Sequence, residues 1–466
     1  MAETKAEAPP PPGVAVVIVP LPAQGHLNQL LHLSLLLSSR GLAVHFVGGA
    51  THNRQVRDRA LVDLADCRPI QFHDLPLPQF ASPPPDPYDK IKFPGHLQPA
   101  FDAALHLRSP LSLLVRSLAA CSRRVVIIHD SSMSFAAVSG SSLPNVEAFS
   151  FHSISAIAGF FFRWESRGKP PEPAIAEMDL PEVSTEGCTK EDFINFVRSQ
   201  DQAKAADSGR LFNTCRAIES SFIDLVSREP GWKDKQNFAI GPLHPTTMNG
   251  GGSRNACMEW LNQQPQASVV YVSFGTTVAL SVEQVAELAA GLEASGQRFL
   301  WVLRDADRAD IYATVDEAQE EKLPLDFERR VEGRGKVVRG WAPQAEILAH
   351  PATGGFVSHC GWNSCIESFS AGVPILAWPM HSDQPWNAVL ATHVLRVGFA
   401  VFEWAKRKEL VPAAVIRDLI VKLMASEEGE AARRRARELG GEVRRAMADG
   451  GSSKASMDAF VDYITR

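Results

Sequence analysis

The apolar run Val14–Val19, closed by Pro20, is followed by the loop Leu21 to His26. An apolar helical stretch from Leu27 to Ser39 comes next, then Gly41 and a second apolar run from Leu42 to Val47. Strand, loop, helix, strand is the unit of a parallel sheet, because parallel neighbours need a crossover connection rather than a hairpin. Another strand run, Arg124 to Ile128, ends at His129-Asp130. The pattern then restarts: a strand from Ser268 to Phe274, the turn Gly275-Thr276-Thr277, and a helix from Ser281 to Ala294 before Gly296. Ser281 and Gln284 have capping-box spacing at its start. Further strands are predicted at Arg298–Leu303, Gly335–Arg339, Gly355–Ser358 and Pro374–Trp378, alternating with helices. At 466 residues the chain exceeds what one core usually organises. The expectation is an α/β protein of two doubly wound, Rossmann-like domains facing a cleft. The domains are set at 1–245 and 256–450. The Gly-rich stretch within 246–255 (Thr246 to Ser253) is the linker, and a final helix in 451–466 packs back on the first domain. Leu75–Pro87 and Gly168–Thr189 are predicted as long loops, a place where function often resides.

Composition excludes several classes. A net charge of −6 and no basic face argue against nucleic-acid binding; the densest basic run, Arg433 to Arg437, alternates with acids as a solvated helix face does. The seven cysteines are scattered and form no CxxC pair, so neither a disulfide framework nor a zinc site is expected, and a reducing, cytoplasmic compartment fits. The Pro-rich start does not read as a signal peptide, and Val14–Leu21 is too short to span a bilayer.

The chemistry concentrates between Trp341 and Gln384. Phe356-Val357-Ser358 reads as a buried strand, His359 to Ser364 as a turn, and Asn363 to Ser370 as a helix ending at Gly372. A helix N-terminus offers unpaired N–H groups and the positive end of the dipole, a fit for a diphosphate. His359 lies just before it. Asn363 and Ser364 lie in its first turn, able to bond phosphate oxygens or simply to cap the helix. Glu367 is one turn further on, suited either to ribose hydroxyls or to solvent. Trp341, with Ala342 and Gln344 after it, is suited to stacking on a flat base or to ordinary core packing. Asp383 and Gln384 pair a carboxylate with an amide, which suits vicinal sugar hydroxyls or a helix start. Each alternative is ordinary alone; their convergence on one turn points to a nucleotide-sugar site.

Two residues of the first half complete a reaction. His26 ends the first loop and Asp130 ends another strand of the same predicted sheet, so both belong to its carboxyl edge. A carboxylate on one imidazole nitrogen fixes the tautomer and leaves the other nitrogen as a base toward an acceptor hydroxyl. Singly, His26 reads equally as a cap and Asp130 as a satisfied strand-end carboxylate.

The stretch from Trp341 to Gln384 resembles the plant signature of family 1 UDP-glycosyltransferases, inverting enzymes of GT-B fold, along its whole length. The resemblance implies that Trp341 stacks on uracil with Gln344 nearby, and that Glu367 binds ribose. It implies that His359, Asn363, Ser364 and Thr276 hold the diphosphate, and that Trp362, Asp383 and Gln384 line the sugar. Gln384 fits glucose, although xylose users occur among relatives. UDP-glucose is then a co-substrate, with no cofactor and no metal. Pro22 to His26 matches the family's catalytic loop. The usual proline three residues after that histidine is replaced by Gln29. This departure, together with Phe149 to Ala156, resembles the zeatin O-glucosyltransferase subgroup, cis-zeatin enzymes included. The implied partner is a small hydroxylated acceptor such as the side chain of a cytokinin. Phe93, Phe151 and Ser153 are the candidate acceptor contacts; Phe160, Phe161 and Phe162 are further apolar candidates, and His52, Asp89 and His96 polar ones. A phenolic acceptor and a non-catalytic binding protein are the rival readings. A dinucleotide oxidoreductase is disfavoured because the first loop lacks G-x-G-x-x-G.

Overall fold

The computed structural model describes residues 13–60, 70–243, 256–313 and 323–466. The expected linker, most of the Pro-rich start and Cys67 lie outside the described residues. The described chain forms two parallel sheets. The first contains β1 (Val14–Val19), β2 (Ala43–Gly48), β3 (Gln71–Asp74), β4 (Arg124–Asp130), β5 (Val146–His152), β6 (Asp207–Phe212) and β7 (Gln236–Ala239), in the order β3-β2-β1-β4-β5-β6-β7. The second contains β8 (Val269–Ser273), β9 (Arg298–Val302), β10 (Gly335–Val338), β11 (Thr353–Ser358), β12 (Ile375–Ala377) and β13 (Gly398–Ala400), ordered β10-β9-β8-β11-β12-β13. The chain winds outward from β1 to one side and resumes from β4 on the other; β8 and β11 repeat this. Each sheet therefore has a topological switch point, where ligands bind beyond the strand ends.

The elements differ from expectation where the apolar signal is weak. β3 and β7 are short edge strands without an apolar run. β6 carries Arg210, which is fully buried, its guanidinium bonded to Glu229 at 3.2 Å and to the Val226 carbonyl at 2.5 Å. A buried, paired charge inside a strand masks the strand's hydrophobic signature. Ser281 caps the helix Val282–Ser295 by accepting from the Gln284 N–H at 3.3 Å. The reciprocal half of the box is absent: the Gln284 amide instead makes paired bonds with the backbone of Val411, at 2.9 and 3.1 Å.

Three features join the halves. Phe161 of the first half stacks on Trp386 of the second, with ring centroids 3.7 Å apart and planes within 3°. The long loops straddle the boundary: Ser382 donates to the Cys188 carbonyl at 2.7 Å, and Asp310 N–H donates to Ser82 Oγ at 2.8 Å. The last helix, Ser452–Thr465, lies against the first sheet, with Phe460 edge-on to Phe149 at 5.3 Å and to Phe238 at 5.4 Å. Cys121, Cys188, Cys215, Cys257, Cys360 and Cys365 are free thiols. Among the described residues no helix is long and apolar enough to cross a membrane.

Candidate active site

The two switch points open on one cleft of about 920 Å³, lined from both halves. That volume lies within the range of small-molecule sites. β1 and β4 are paired in parallel, Val19 opposite His129, so the loop after one and the end of the other meet. The helix Gln24–Ser39 begins earlier than expected and puts His26 in its first turn. His26 Nδ1 lies 2.6 Å from Asp130 Oδ2. The same oxygen accepts from Ser153 Oγ at 2.7 Å, and Oδ1 accepts from the Ser132 N–H at 2.9 Å. Asp130 is fully buried, whereas the His26 side chain keeps 26% of its surface open although it sits deep between the halves.

Burial opposes the charged form of both groups most strongly. For His26 the charge and hydrogen bond of Asp130, with help from the Asp383 charge, outweigh it and raise its pKa above 6.5. For Asp130 burial is likewise outweighed, by the His26 interaction and the Ser132 and Ser153 bonds, and its pKa falls below 3.8. An ionised carboxylate accepts only, so the proton on the neutral imidazole is on Nδ1 and the Nε2 lone pair is available as a base.

Across the cleft, β11 runs through His359, Cys360 and Gly361 into the helix Trp362–Ala371, whose N-cap, Gly361, makes no side-chain cap bond. Asn363 and Ser364 lie inside the helix, beyond its N-cap position, and their side chains bond elsewhere. Asn363 Nδ2 donates to the Gly25 carbonyl, next to His26, at 2.9 Å, and Ser364 Oγ accepts from Gln344 Nε2, also at 2.9 Å. The buried His359 ring is wedged between two glycines: a Cβ on Gly275 or Gly361 would come within 2.6 or 2.4 Å of its Nε2. Gly275 also has φ +75°, so the turn after β8 needs glycine for two reasons. Burial pushes the His359 pKa down to about 4, outweighing a hydrogen bond with the Ser273 backbone that raises it. Thr276 follows on the same turn and lines the cleft.

Trp341 is 45% exposed at the cleft, beside Ala342, with the guanidinium of Arg59 4.9 Å and that of Arg304 5.7 Å from its ring centroid. Gln344 Nε2 also donates to Glu367 Oε2 at 2.8 Å, and burial raises the Glu367 pKa to about 7 despite that bond. Asp383 occupies the N-cap position of the helix Gln384–Val389 without a side-chain cap bond. Its Oδ2 accepts from Asn387 Nδ2 at 2.8 Å, and burial raises its pKa to about 6. Gln384 Oε1 accepts from the N–H groups of Met380 and His381 at 2.8 and 3.0 Å. Trp362 is buried, with its indole N–H donated to the Asn213 carbonyl at 2.7 Å. Among the described residues no group of His, Cys, Asp and Glu is placed to hold a metal ion.

The acceptor side departs most from the sequence reading. Phe93 and Phe162 line the cleft, joined by Phe101, Phe193 and Ile154. Phe151 does not: it lies with Phe149 in the core against the last helix. Alternation along β5 sends Phe149 and Phe151 to that face and Ser150 and His152 to the cleft side. Phe160 is core and Phe161 belongs to the interdomain stack. The Ser153 hydroxyl is engaged by Asp130. His52 bonds the Ala309 carbonyl at 3.2 Å and His96 the Asp307 carbonyl at 2.8 Å, while Asp89 pairs with Lys190, so these three tie loops together. Sequence reasoning missed Ser132, Asn213, Asn387, Arg59 and Arg304. They are isolated polar residues outside any motif, and no periodicity marks them. A second His–Asp contact, His129 Nε2 to Asp207 Oδ1 at 2.8 Å, is fully buried on both sides and closed to a substrate.

Residues 12–245 match the family described as the glycosyltransferase N-terminal domain, and residues 247–419 match UDP-glucoronosyl and UDP-glucosyl transferase. A zeatin O-glucosyltransferase of Phaseolus lunatus is 46% identical over 97% of both chains. A zeatin O-xylosyltransferase of Phaseolus vulgaris and the cis-zeatin O-glucosyltransferase 1 of Zea mays are each 46% identical over 97% of this chain and 98% of theirs. Among solved structures, a Phytolacca americana UGT2 in complex with UDP-2fluoro-glucose and pterostilbene superposes with a TM-score of 0.76 at 26% identity, covering 97% of this chain and 99% of that one. A Polygonum tinctorium UDP-glucosyltransferase capable of glucosylating indoxyl gives 0.78 at 29% identity, covering 98% and 99%.

Proposed function

This chain belongs to the UDP-glucoronosyl and UDP-glucosyl transferase family, and we propose that it transfers glucose from UDP-glucose to the side-chain hydroxyl of a zeatin-type cytokinin, giving an O-β-glucoside. His26 Nε2 accepts the acceptor's hydroxyl proton as the oxygen attacks the anomeric carbon. The bond from that carbon to the UDP oxygen breaks on the opposite face, so an α-linked donor yields a β-linked product. The departing diphosphate gains the N-terminus of the helix Trp362–Ala371, with His359, Asn363, Ser364 and Thr276 around it. Trp341 stacks on uracil with Ala342 and Gln344 beside it, and Glu367 takes the ribose hydroxyls. Trp362, Asp383 and Gln384 surround the sugar, and Phe93 walls the acceptor. No step calls on a metal. The domain division at residues 245 and 256 and a cytoplasmic location belong to the same reading, the latter supported by the free thiols.

One observation carries the mechanism. Asn363 on the donor turn bonds the backbone of Gly25, immediately before His26, at 2.9 Å. Base and leaving-group site are thereby held side by side across the cleft. The acceptor is tested by product analysis with UDP-glucose and cis-zeatin, trans-zeatin, dihydrozeatin and a simple phenol in competition. A zeatin O-glucoside should dominate, and its isomer gives the geometric preference; equal use of the phenol would remove the cytokinin reading. Running the same competition with UDP-xylose checks the donor.

Two further outcomes follow from the electrostatics. The base must be neutral, and His26 has its pKa raised above 6.5, so kcat/KM should fall as pH drops through that raised value. The same pairing stabilises the fold most between pH 3.8 and 6.5, and its contribution is lost as pH rises through the raised His26 pKa or falls through the lowered Asp130 pKa. Stability from this pair and catalysis thus run in opposite directions through the His26 pKa. A pH–rate profile with its acid midpoint at or below 6.5 would contradict the assignment. For Glu367→Ala, losing hydrogen bonds from ribose to a carboxylate should raise the KM for UDP-glucose about 10- to 100-fold, with a smaller change in kcat. Initial rates at saturating acceptor measure this.

A further inference from the structure

We propose that Gln29 is a positioning residue that ties the catalytic base to the donor turn through Asn213. The inference rests on His26 being the base, as proposed above. Gln29 lies three residues after His26 on the same helix and is 2% exposed; Asn213, just beyond β6, is fully buried. Gln29 Nε2 donates to the Ser153 carbonyl at 2.9 Å, and Gln29 Oε1 accepts from Asn213 Nδ2 at 2.7 Å. Asn213 Oδ1 accepts from the Leu243 N–H at 2.7 Å, and the Asn213 carbonyl accepts the Trp362 indole N–H at 2.7 Å. Ser153 in turn holds Asp130, which holds His26.

The polarity of this chain is forced from both ends. The Leu243 N–H only donates, so the Asn213 oxygen must face it and the Asn213 NH₂ must face Gln29. The Gln29 oxygen is then committed to Asn213, and its NH₂ is left for the Ser153 carbonyl, which only accepts. Both amides are thus held in one orientation, and each buried polar atom named here has a partner. A hydrophobic side chain at position 29 would fill the space but leave the Ser153 carbonyl and the Asn213 amide without this link. The consequence is mechanical: Trp362 opens the helix of the donor turn, while Ser153 sets the carboxylate that orients the base. Five consecutive hydrogen bonds through Gln29 thus run from the base to the donor turn, and they add to the direct bond of Asn363 to Gly25 in setting one against the other. Small misplacement of reacting groups is costly in rate, so the effect should appear in kcat rather than in donor affinity.

Two variants test this, each with His26→Ala as control. Gln29→Leu should lower kcat with a zeatin acceptor at least about tenfold, while the KM for UDP-glucose and the Kd for UDP stay within about threefold. Gln29→Glu separates positioning from space filling. In that variant the neutral carboxyl reproduces both bonds, its O–H donating to the Ser153 carbonyl and its C=O accepting from Asn213. Once ionised, the introduced carboxylate turns an acceptor toward the Ser153 carbonyl. Burial raises the pKa of the introduced carboxyl, so this variant should match the parent enzyme where the carboxyl is neutral and fall below it as pH rises, adding a descending limb to the profile. The parent enzyme rises with pH over the same range. An unchanged kcat in Gln29→Leu overturns the positioning role, whereas a lowered kcat in Gln29→Leu with an unchanged profile in Gln29→Glu supports it, the buried carboxyl then staying neutral and keeping both bonds. If instead His26→Ala keeps its activity, the base assignment itself has failed, and the two failures are told apart.

Discussion

His26→Ala should lower glucosyl transfer to a zeatin hydroxyl by about 10³-fold, the middle of the range for losing a general base, while UDP binds as before. The two effects separate because His26 belongs to the first sheet's edge and the nucleotide contacts belong to the second. The loss should also depend on the acceptor. An aliphatic hydroxyl keeps its proton at neutral pH, whereas a phenol, with a pKa of about 10, gives it up far more readily. The same variant should therefore lose less activity toward a phenol than toward zeatin. Steady-state rates with both acceptors, and UDP titration by calorimetry, measure all three quantities. Near-normal zeatin turnover would remove His26 from the mechanism, and an equal loss for both acceptors would remove proton transfer as its role.

Asp130→Asn should be nearly as damaging, also about 10³-fold, for a reason visible in the hydrogen bonds. The Ser132 N–H donates to Oδ1 at 2.9 Å, so the oxygen of an asparagine must take that place. The amide NH₂ is then forced to the Oδ2 position, where it faces His26 Nδ1 and the Ser153 hydroxyl. Nδ1 becomes an acceptor, and the imidazole proton moves to Nε2, the nitrogen that should receive the acceptor's proton. The ring remains where it was in the wrong tautomer. The imidazolium also loses its counter-charge, so the acid midpoint of any residual activity should move down from its raised position. A variant with near-wild-type kcat, or with the midpoint unmoved, would argue that Asp130 serves only packing.

The donor half of the site is legible in the chain because it is local. Strand, turn and helix follow one another between Thr353 and Ala371, and a helix N-terminus after a strand has the same geometry wherever it occurs. Trp341, Glu367, Asp383 and Gln384 could be picked out as candidates from residue type and place, and the resemblance supplied their implied roles. Gln29 could be seen as a departure from the resembling family, but its partner Asn213 could not, since nothing in the chain links residues so far apart. Phe151 shows the opposite failure. An aromatic near the right loop looks like an acceptor wall, yet the pleat of β5 turns it to the helix-covered face and gives the cleft side to Ser150 and His152.

The repeated alternation of strand and helix, and the contiguous donor turn, were determined by the amino-acid order itself, because periodicity and helix-end geometry act over a few residues. The choice between two His–Asp contacts was not. His26 with Asp130 spans 104 residues and keeps 26% of its imidazole open, while His129 with Asp207 is sealed. Strand order and burial make that distinction, and both arise from contacts between segments distant in the chain, whose pairing carries no local signature.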